Sequence, residues 1–185
     1  ISEKPLGTLY SNEELKIINK IIRAQKPLTY GIEVGQFEKK FAKYLGAKYA
    51  TAVSSCGAAL NISTKLLNLK KGDEVLCQSN AFWVTIVSLL ERGVKIKTVD
   101  VNANTLNIDI ADLKKKINYK TKAIYLVHHG GNPAEMDKIK SITKKYKTSI
   151  VEDCAHAIGA QIGKQKIGSN SMIACFSFAQ HKNIS

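Results

Sequence analysis

Apolar residues along the chain switch repeatedly between a helical and an extended spacing. Val34, Phe37, Phe41 and Leu45 fall on one helical face, with Gly46 as the stop signal. Residues 49–53 read as a buried strand, residues 54–57 as a tight turn, and Ala59, Ile62, Leu66 and Leu67 mark the next helix. The alternation continues with strands over 73–77, 95–99, 122–127, 149–152 and 172–178 and with helices over 82–91 and 109–117. Asn132-Pro133-Ala134-Glu135 predicts a further helix start, with Asn132 as N-cap and Pro133 at the first position; Ile139, Ile142 and Tyr146 carry that helix on. Two short apolar pieces around Gly163-Lys164-Gln165 read as a hairpin. Strand–helix alternation of this length predicts an α/β fold: a mostly parallel sheet flanked by helices.

In such sheets ligands bind beyond the carboxyl ends of the strands, so the residues that follow each strand carry the candidate chemistry. Ser54-Ser55-Cys56-Gly57-Ala58-Ala59 is either an ordinary tight turn or a small-residue turn that offers backbone amides and a helix N-terminus to an anion. Phe82 and Trp83 are either core residues or a cover for a flat ring. His128 and His129, with Asp153 and His156 downstream, raise a metal site. Adjacent residues of an extended segment point to opposite faces, however, and the expectation is that no metal is bound. Asp153 ends a buried strand, where a carboxylate needs a partner: a structural ion pair, a helix cap or a bound cation. Ser177 lies late in the last strand, and Lys182 follows it.

Composition narrows the choice. The chain has 185 residues, 44% hydrophobic and 23% charged, enough for a globular core. No apolar run approaches the roughly 20 residues of a membrane span. The net charge of +13 invites a nucleic-acid partner. Yet only Arg23 and Arg92 are arginines, and the scattered lysines read as a solvated surface, so no nucleic-acid partner is expected. Cys56, Cys77, Cys154 and Cys175 form no C-x-x-C pair and sit beside apolar segments, as reduced thiols of a cytoplasmic protein would. The chain begins at Ile1 and stops at Ser185, soon after a strand-like run, and reads as a segment of a longer protein.

A phosphate-binding turn, an aromatic cover, an acid for a ring nitrogen and a lysine are together the parts that a pyridoxal phosphate enzyme requires. The sequence resembles the DegT/DnrJ/EryC1/StrS sugar aminotransferases, of the fold-type I, aspartate-aminotransferase-like superfamily. The resemblance runs along essentially the whole chain. It includes Thr29-Tyr30-Gly31, Val34-Gly35-Gln36-Phe37-Glu38, Val53-Ser54-Ser55-Cys56-Gly57-Ala58-Ala59-Leu60, Gly72-Asp73-Glu74-Val75 and Ala81-Phe82-Trp83-Val84-Thr85. Its most specific stretches come late: Val127-His128 to Met136-Asp137, Glu152-Asp153-Cys154-Ala155-His156 to Ala160, and Phe176-Ser177-Phe178 with Lys182-Asn183-Ile184.

The resemblance implies roles. Lys182 matches the lysine that holds pyridoxal phosphate and shuttles the proton. Asp153 matches the carboxylate that keeps the pyridine nitrogen protonated, and His156 a position, Gln or His in the family, beside the phenolic oxygen. Phe82 matches the aromatic stacked on the ring, Ser177 a phosphate-binding hydroxyl, and Cys56 and Gly57 the phosphate turn. It implies an aminotransferase passing an amino group from glutamate to a keto sugar on a nucleotide, in amino-sugar and polysaccharide biosynthesis, and a homodimer. Residues 1–185 would be the large, cofactor-binding domain, with a smaller C-terminal domain beyond. There are departures: Gly57 stands where the family usually has Thr, and Ile32 replaces a frequent Pro. Some relatives carry His at the lysine position and act as dehydratases; here His181 is adjacent, but Lys182 keeps the five-residue spacing from Ser177. A dehydratase-type or non-catalytic relative and a basic nucleic-acid-binding domain are the alternatives. The sugar, the nucleotide and the carbon aminated are not legible.

Overall fold

The computed structural model describes residues 10–24, 31–169 and 171–182. The resemblance residues Thr29, Tyr30, Asn183 and Ile184 lie outside them. The chain divides into two compact units, Ile1–Ala52 with Ala179–Ser185, and Val53–Phe178.

In the first unit, α1 (Asn12–Arg23) opens with a capping box in which Ser11 and Glu14 serve each other's amides. α2 (Ile32–Leu45) carries the predicted apolar face and ends at Gly46, whose φ of 74° suits glycine. The buried strand expected at 49–53 does not form. The segment is extended and largely exposed, with Tyr49 77% accessible. The Ala52 amide goes to the Glu38 carboxylate (2.8 Å) instead of to a strand ladder.

The second unit holds a five-stranded sheet, ordered β2-β1-β3-β4-β7, with every pairing parallel. The strands are β1 (Glu74–Gln78), β2 (Lys95–Val99), β3 (Thr121–Val127), β4 (Ser149–Asp153) and β7 (Ile173–Cys175). β7 is shorter than the expected 172–178. β5 (Gln161–Ile162) and β6 (Gln165–Lys166) form the expected hairpin. β1 and β3 alternate their side chains between two cores. Leu76, Ile124 and Leu126 pack with Leu113 and Ile139 of α5 (Ile110–Lys116) and α6 (Met136–Tyr146). Val75, Cys77, Ala123 and Tyr125 pack with Leu60 and Leu89 of α3 (Cys56–Leu66) and α4 (Trp83–Leu90). Helices thus cover both faces, which is why these strands read as continuous apolar runs. Each buried leucine contributes about 1.5–3 kcal/mol of transfer free energy.

Two expected starts move. Cys56 and Gly57 lie in the first turn of α3 rather than in a separate turn, and Ser55 caps it by accepting the Ala58 amide (3.1 Å). Asn132 does not cap α6, which begins at Met136. The Ala134 amide is held instead by Nδ1 of buried His128 (3.1 Å).

Buried polar groups tie the sheet at both ends. At the amino end, Glu74 accepts from Asn118 Nδ2 (2.6 Å) and Thr121 Oγ1 (2.9 Å) and pairs with Lys97. Burial pushes its carboxyl upward, but Lys97, Thr121 and Asn118 outweigh it and hold the carboxyl below its ordinary range. At the other end, His128 Nε2 meets Glu152 Oε2 at 2.8 Å, both fully buried, and the Gly168 amide reaches the same oxygen (3.2 Å). Because His128 Nδ1 accepts a backbone amide, its ring proton sits on Nε2 and is donated to Glu152. Burial pushes Glu152 up, and the bonds from His128, Ser171 and Gly168 outweigh it to leave the carboxyl lowered.

α3 and α4 approach closely at Gly57. A Cβ there would lie 2.7 Å from Cγ1 of Val84, a stiff β-branched side chain. Glycine at this family threonine position is therefore matched to the valine opposite.

Two predictions follow from this packing. Both lowered carboxyls contribute stability that is present above their unfolded pKa and lost as pH falls through the folded value. Urea midpoints should therefore fall from about pH 5 downward, with a shallower slope in Glu74→Gln. Gly57→Ala should cost roughly 1–3 kcal/mol in urea unfolding, and in a Val84→Ala background most of that cost should vanish, as a double-mutant cycle would register.

Candidate functional site

At the carboxyl ends of the parallel strands, contacts close a ring within the second unit. Asp153, the last residue of β4, is 3% exposed. Its Oδ2 accepts from Thr85 Oγ1 (3.3 Å), one turn into α4, and its Oδ1 accepts from the Ala155 amide (3.0 Å). Register sets Asp153 between Val127 of β3 and Cys175 of β7. α3 packs on β7, and its first residue, Cys56, lies in the same apolar cluster as Cys175. Gly57 meets Val84 of α4, which closes the ring.

Phe82 and Trp83 stand at the start of α4, each 62% exposed, so the core reading of this aromatic pair does not hold. Phe82 is available to cover a flat ring. Ser177, largely buried, follows β7 two residues after Cys175. His156 is exposed just beyond β4. Six of the seven expected site residues (Cys56, Gly57, Phe82, Asp153, His156 and Ser177) thus belong to one unit. Lys182 belongs to the other, where its amide closes a turn onto the Ala179 carbonyl (2.8 Å).

The two histidines diverge where β3 gives way to a short 3-10 turn, His129–Gly131. His128 enters the core, and His129 sits at the strand ends, its ring edge-on to His156 with centroids 6.5 Å apart. His128, Glu152 and Cys154 offer three ligand atoms within 4.8 Å of one another. Both ring nitrogens of His128 are already committed, to the Ala134 amide and to Glu152, and burial pushes the Cys154 thiol well up. This cluster is built as a hydrogen-bonded core, not as an open cation site.

None of the four cysteines is in a disulfide, and three are buried. Burial, and after it the charge of Asp153, pushes Cys77 up to about 12, so it is a packing thiol and not a nucleophile.

The motifs alone gave no role to Thr85, Gln78, Asn80 or Asn107. Asn107 is buried and pins the turn after β3: it accepts from the His129 amide (2.9 Å) and donates to the Asn132 carbonyl (3.0 Å). Gly131 is obligatory in that turn, with a φ of 82° and a Cβ position 2.7 Å from the His156 carbonyl. The one local signal for Gln78 and Asn80 is that they are amides directly following an apolar strand.

The donor set suits a ligand with an anionic group, a flat ring and a protonatable ring nitrogen. A helix N-terminus and a hydroxyl can take the anion, Phe82 the ring face, and the buried Asp153 carboxylate the ring N–H.

Comparison with known proteins agrees with that chemistry. A profile of the DegT/DnrJ/EryC1/StrS aminotransferase family matches residues 9–185. The chain is 36% identical over 175 residues to the dTDP-3-amino-3,6-dideoxy-alpha-D-galactopyranose transaminase of Aneurinibacillus thermoaerophilus, covering 95% of this chain and 48% of that protein. Among solved structures, the aminotransferase from Psychrobacter cryohalolentis superposes with a TM-score of 0.91 at 31% identity, covering 98% of this chain and 46% of that one. A GDP-4-keto-6-deoxymannose-3-dehydratase with a trapped PLP–glutamate geminal diamine gives a TM-score of 0.93 at 32% identity, covering 99% and 49%. The chain spans about half the length of the relatives it matches. The chain belongs to the DegT/DnrJ/EryC1/StrS aminotransferase family.

Proposed function

We propose that the complete protein is a pyridoxal phosphate-dependent aminotransferase that moves an amino group from glutamate to a keto sugar carried on a nucleotide. The observation that carries this reading is the buried Asp153 carboxylate, held at the end of β4 within one ring of contacts that includes the α3 N-terminus and the start of α4. Family membership and the transaminase among its relatives support it.

Bound pyridoxal phosphate supplies an electron-withdrawing ring that disperses carbanion charge. The chain's own residues do the rest. Asp153 accepts the ring N–H and keeps that nitrogen protonated. Thr85 and the Ala155 amide orient the carboxylate for this. The first turn of α3, through Cys56 and Gly57, and the Ser177 hydroxyl hold the phosphate. Phe82 would cover the ring face, and His156 would bond the phenolic oxygen. The family resemblance gives Lys182 Nζ the role of anchoring the cofactor and of moving a proton from and back to the substrate carbon. Lysine at position 182 favours amino transfer over the dehydratase chemistry of relatives that carry His there.

The chain is read as the large, cofactor-binding domain of a longer enzyme, followed by a smaller C-terminal domain, because it spans about half of its relatives. The working assembly is read as a homodimer. Its place is read as the cytoplasm, which four free thiols suit. Among the described residues no helix is long and apolar enough to cross a membrane. Amino-sugar and polysaccharide biosynthesis is the setting such a product serves.

The test is the half-reaction. The complete protein loaded with pyridoxal phosphate should show a visible absorbance band that shifts when glutamate is added. Lys182→Ala should slow that shift by about 10²–10⁴-fold, and Asp153→Asn should slow it while weakening cofactor retention. A wild-type protein that binds the cofactor stoichiometrically, yet shows no shift with any amino donor, would contradict the assignment.

A further inference from the structure

A chain of amide groups runs from the main chain of β3 to the ring of His129, and every orientation in it is forced. The Val127 N–H can only donate, and it meets Oε1 of the fully buried Gln78 (3.2 Å). The Gln78 Nε2 group therefore faces the other way, donating to Asn80 Oδ1 (2.7 Å) and to the Leu106 carbonyl (3.1 Å). Asn80 is fixed in turn: Oδ1 accepts from Gln78, and Nδ2 donates to the Leu106 carbonyl (2.9 Å). The second hydrogen of Asn80 Nδ2 points to His129 Nδ1 at 3.3 Å. An amide flip at either residue would set a backbone donor against a donor or a carbonyl against an acceptor. His129 Nδ1 must then be the acceptor, and the ring proton is on Nε2.

The surrounding backbone is shaped to hold this chain. Leu106 adopts a φ of 56°, an uncommon conformation for a bulky residue, and its carbonyl receives both amides. Asn107 fixes the His129 main chain, and the glycines at 130 and 131 turn it sharply beside His156. A half-buried ring is thus delivered, in one tautomer, next to a residue of the expected site.

We infer that His129 is a ligand-binding residue of this site, a fixed Nε2–H donor for an anionic oxygen of the bound molecule, with Gln78 and Asn80 as its positioning residues. This rests on the reading of the site given above. The anionic oxygen belongs either to the cofactor or to the amino-acid donor, and the two are separable.

Histidine-selective ¹⁵N NMR on the complete, ligand-free protein reads the tautomer, with His129→Asn identifying the signals. Nδ1 should be of the unprotonated type and Nε2 of the protonated type. Asn80→Asp, near-isosteric but an acceptor only, should move the proton to Nδ1. Binding then separates ligand from scaffold. Gln places its amide near the position of Nε2, and Asn near that of Nδ1. His129→Asn should weaken binding about 10- to 100-fold, and His129→Gln should recover most of it. The loss appears as a raised Kd for pyridoxal phosphate if the cofactor supplies the oxygen. It appears as a raised KM for glutamate at unchanged kcat and cofactor Kd if the donor does. A proton on Nδ1 in the wild type, better function in the Asn than in the Gln variant, or no change in either constant would overturn the inference. A wild type with the expected nitrogen pattern that takes up no cofactor would overturn the reading of the site and, with it, the ligand role of His129, leaving only the tautomer standing.

Discussion

Two consecutive carboxylates are buried at the end of a central strand, and much of the second unit is arranged around satisfying them. Glu152 and Asp153 point to opposite faces of β4, so neither can share the other's partners. On the α5/α6 face, Glu152 requires the His128 Nε2–H and the Gly168 amide. Committing His128 there turns its Nδ1 to the Ala134 amide, which delays the start of α6 and leaves a sharp turn after β3. On the α3/α4 face, Asp153 takes the Thr85 hydroxyl and the Ala155 amide. That anchors the first turn of α4, and with it Phe82, over the strand ends. One acid ties the scaffold on one face of the sheet, and its neighbour anchors α4 on the other.

The central sheet was legible in the sequence because β1, β3 and β4 are short, largely buried runs, the signature of parallel strands covered on both faces, whereas the edge strand β2 alternates lysines with apolar residues and is mostly exposed. β2 falls at its expected residues, β1 shifts by one, β3 and β4 each gain one, and β7 is trimmed. Residues 49–53 carry the same signature and form no strand, because a ladder needs a neighbour as well as a pattern; here the Ala52 amide finds the Glu38 carboxylate. The false cap at Asn132 has a similar cause: a sound local motif loses to the buried His128 ring, which claims the Ala134 amide.

The expected site rests on spacing and family resemblance, and much less on individual residues. Phe82, open in the residue reading between core and ring cover, is exposed at the start of α4. Thr85, Gln78 and Asn80 were silent. Their partners lie 68 positions away (Asp153), or 49 for both Val127 and His129, and no local pattern encodes such contacts. The +13 charge, prominent at first sight, is spread over many lysines, and among the described residues Lys97, Lys116 and Lys138 pair with acids.

That surplus of lysines makes one measurement decisive. The complete protein, loaded with pyridoxal phosphate, is reduced with borohydride, digested and mapped by mass spectrometry. The account predicts that the cofactor's mass is carried by the peptide containing Lys182, at one equivalent per chain. Labelling at another lysine, or spread across the surface lysines with Lys182 unmodified, would contradict it.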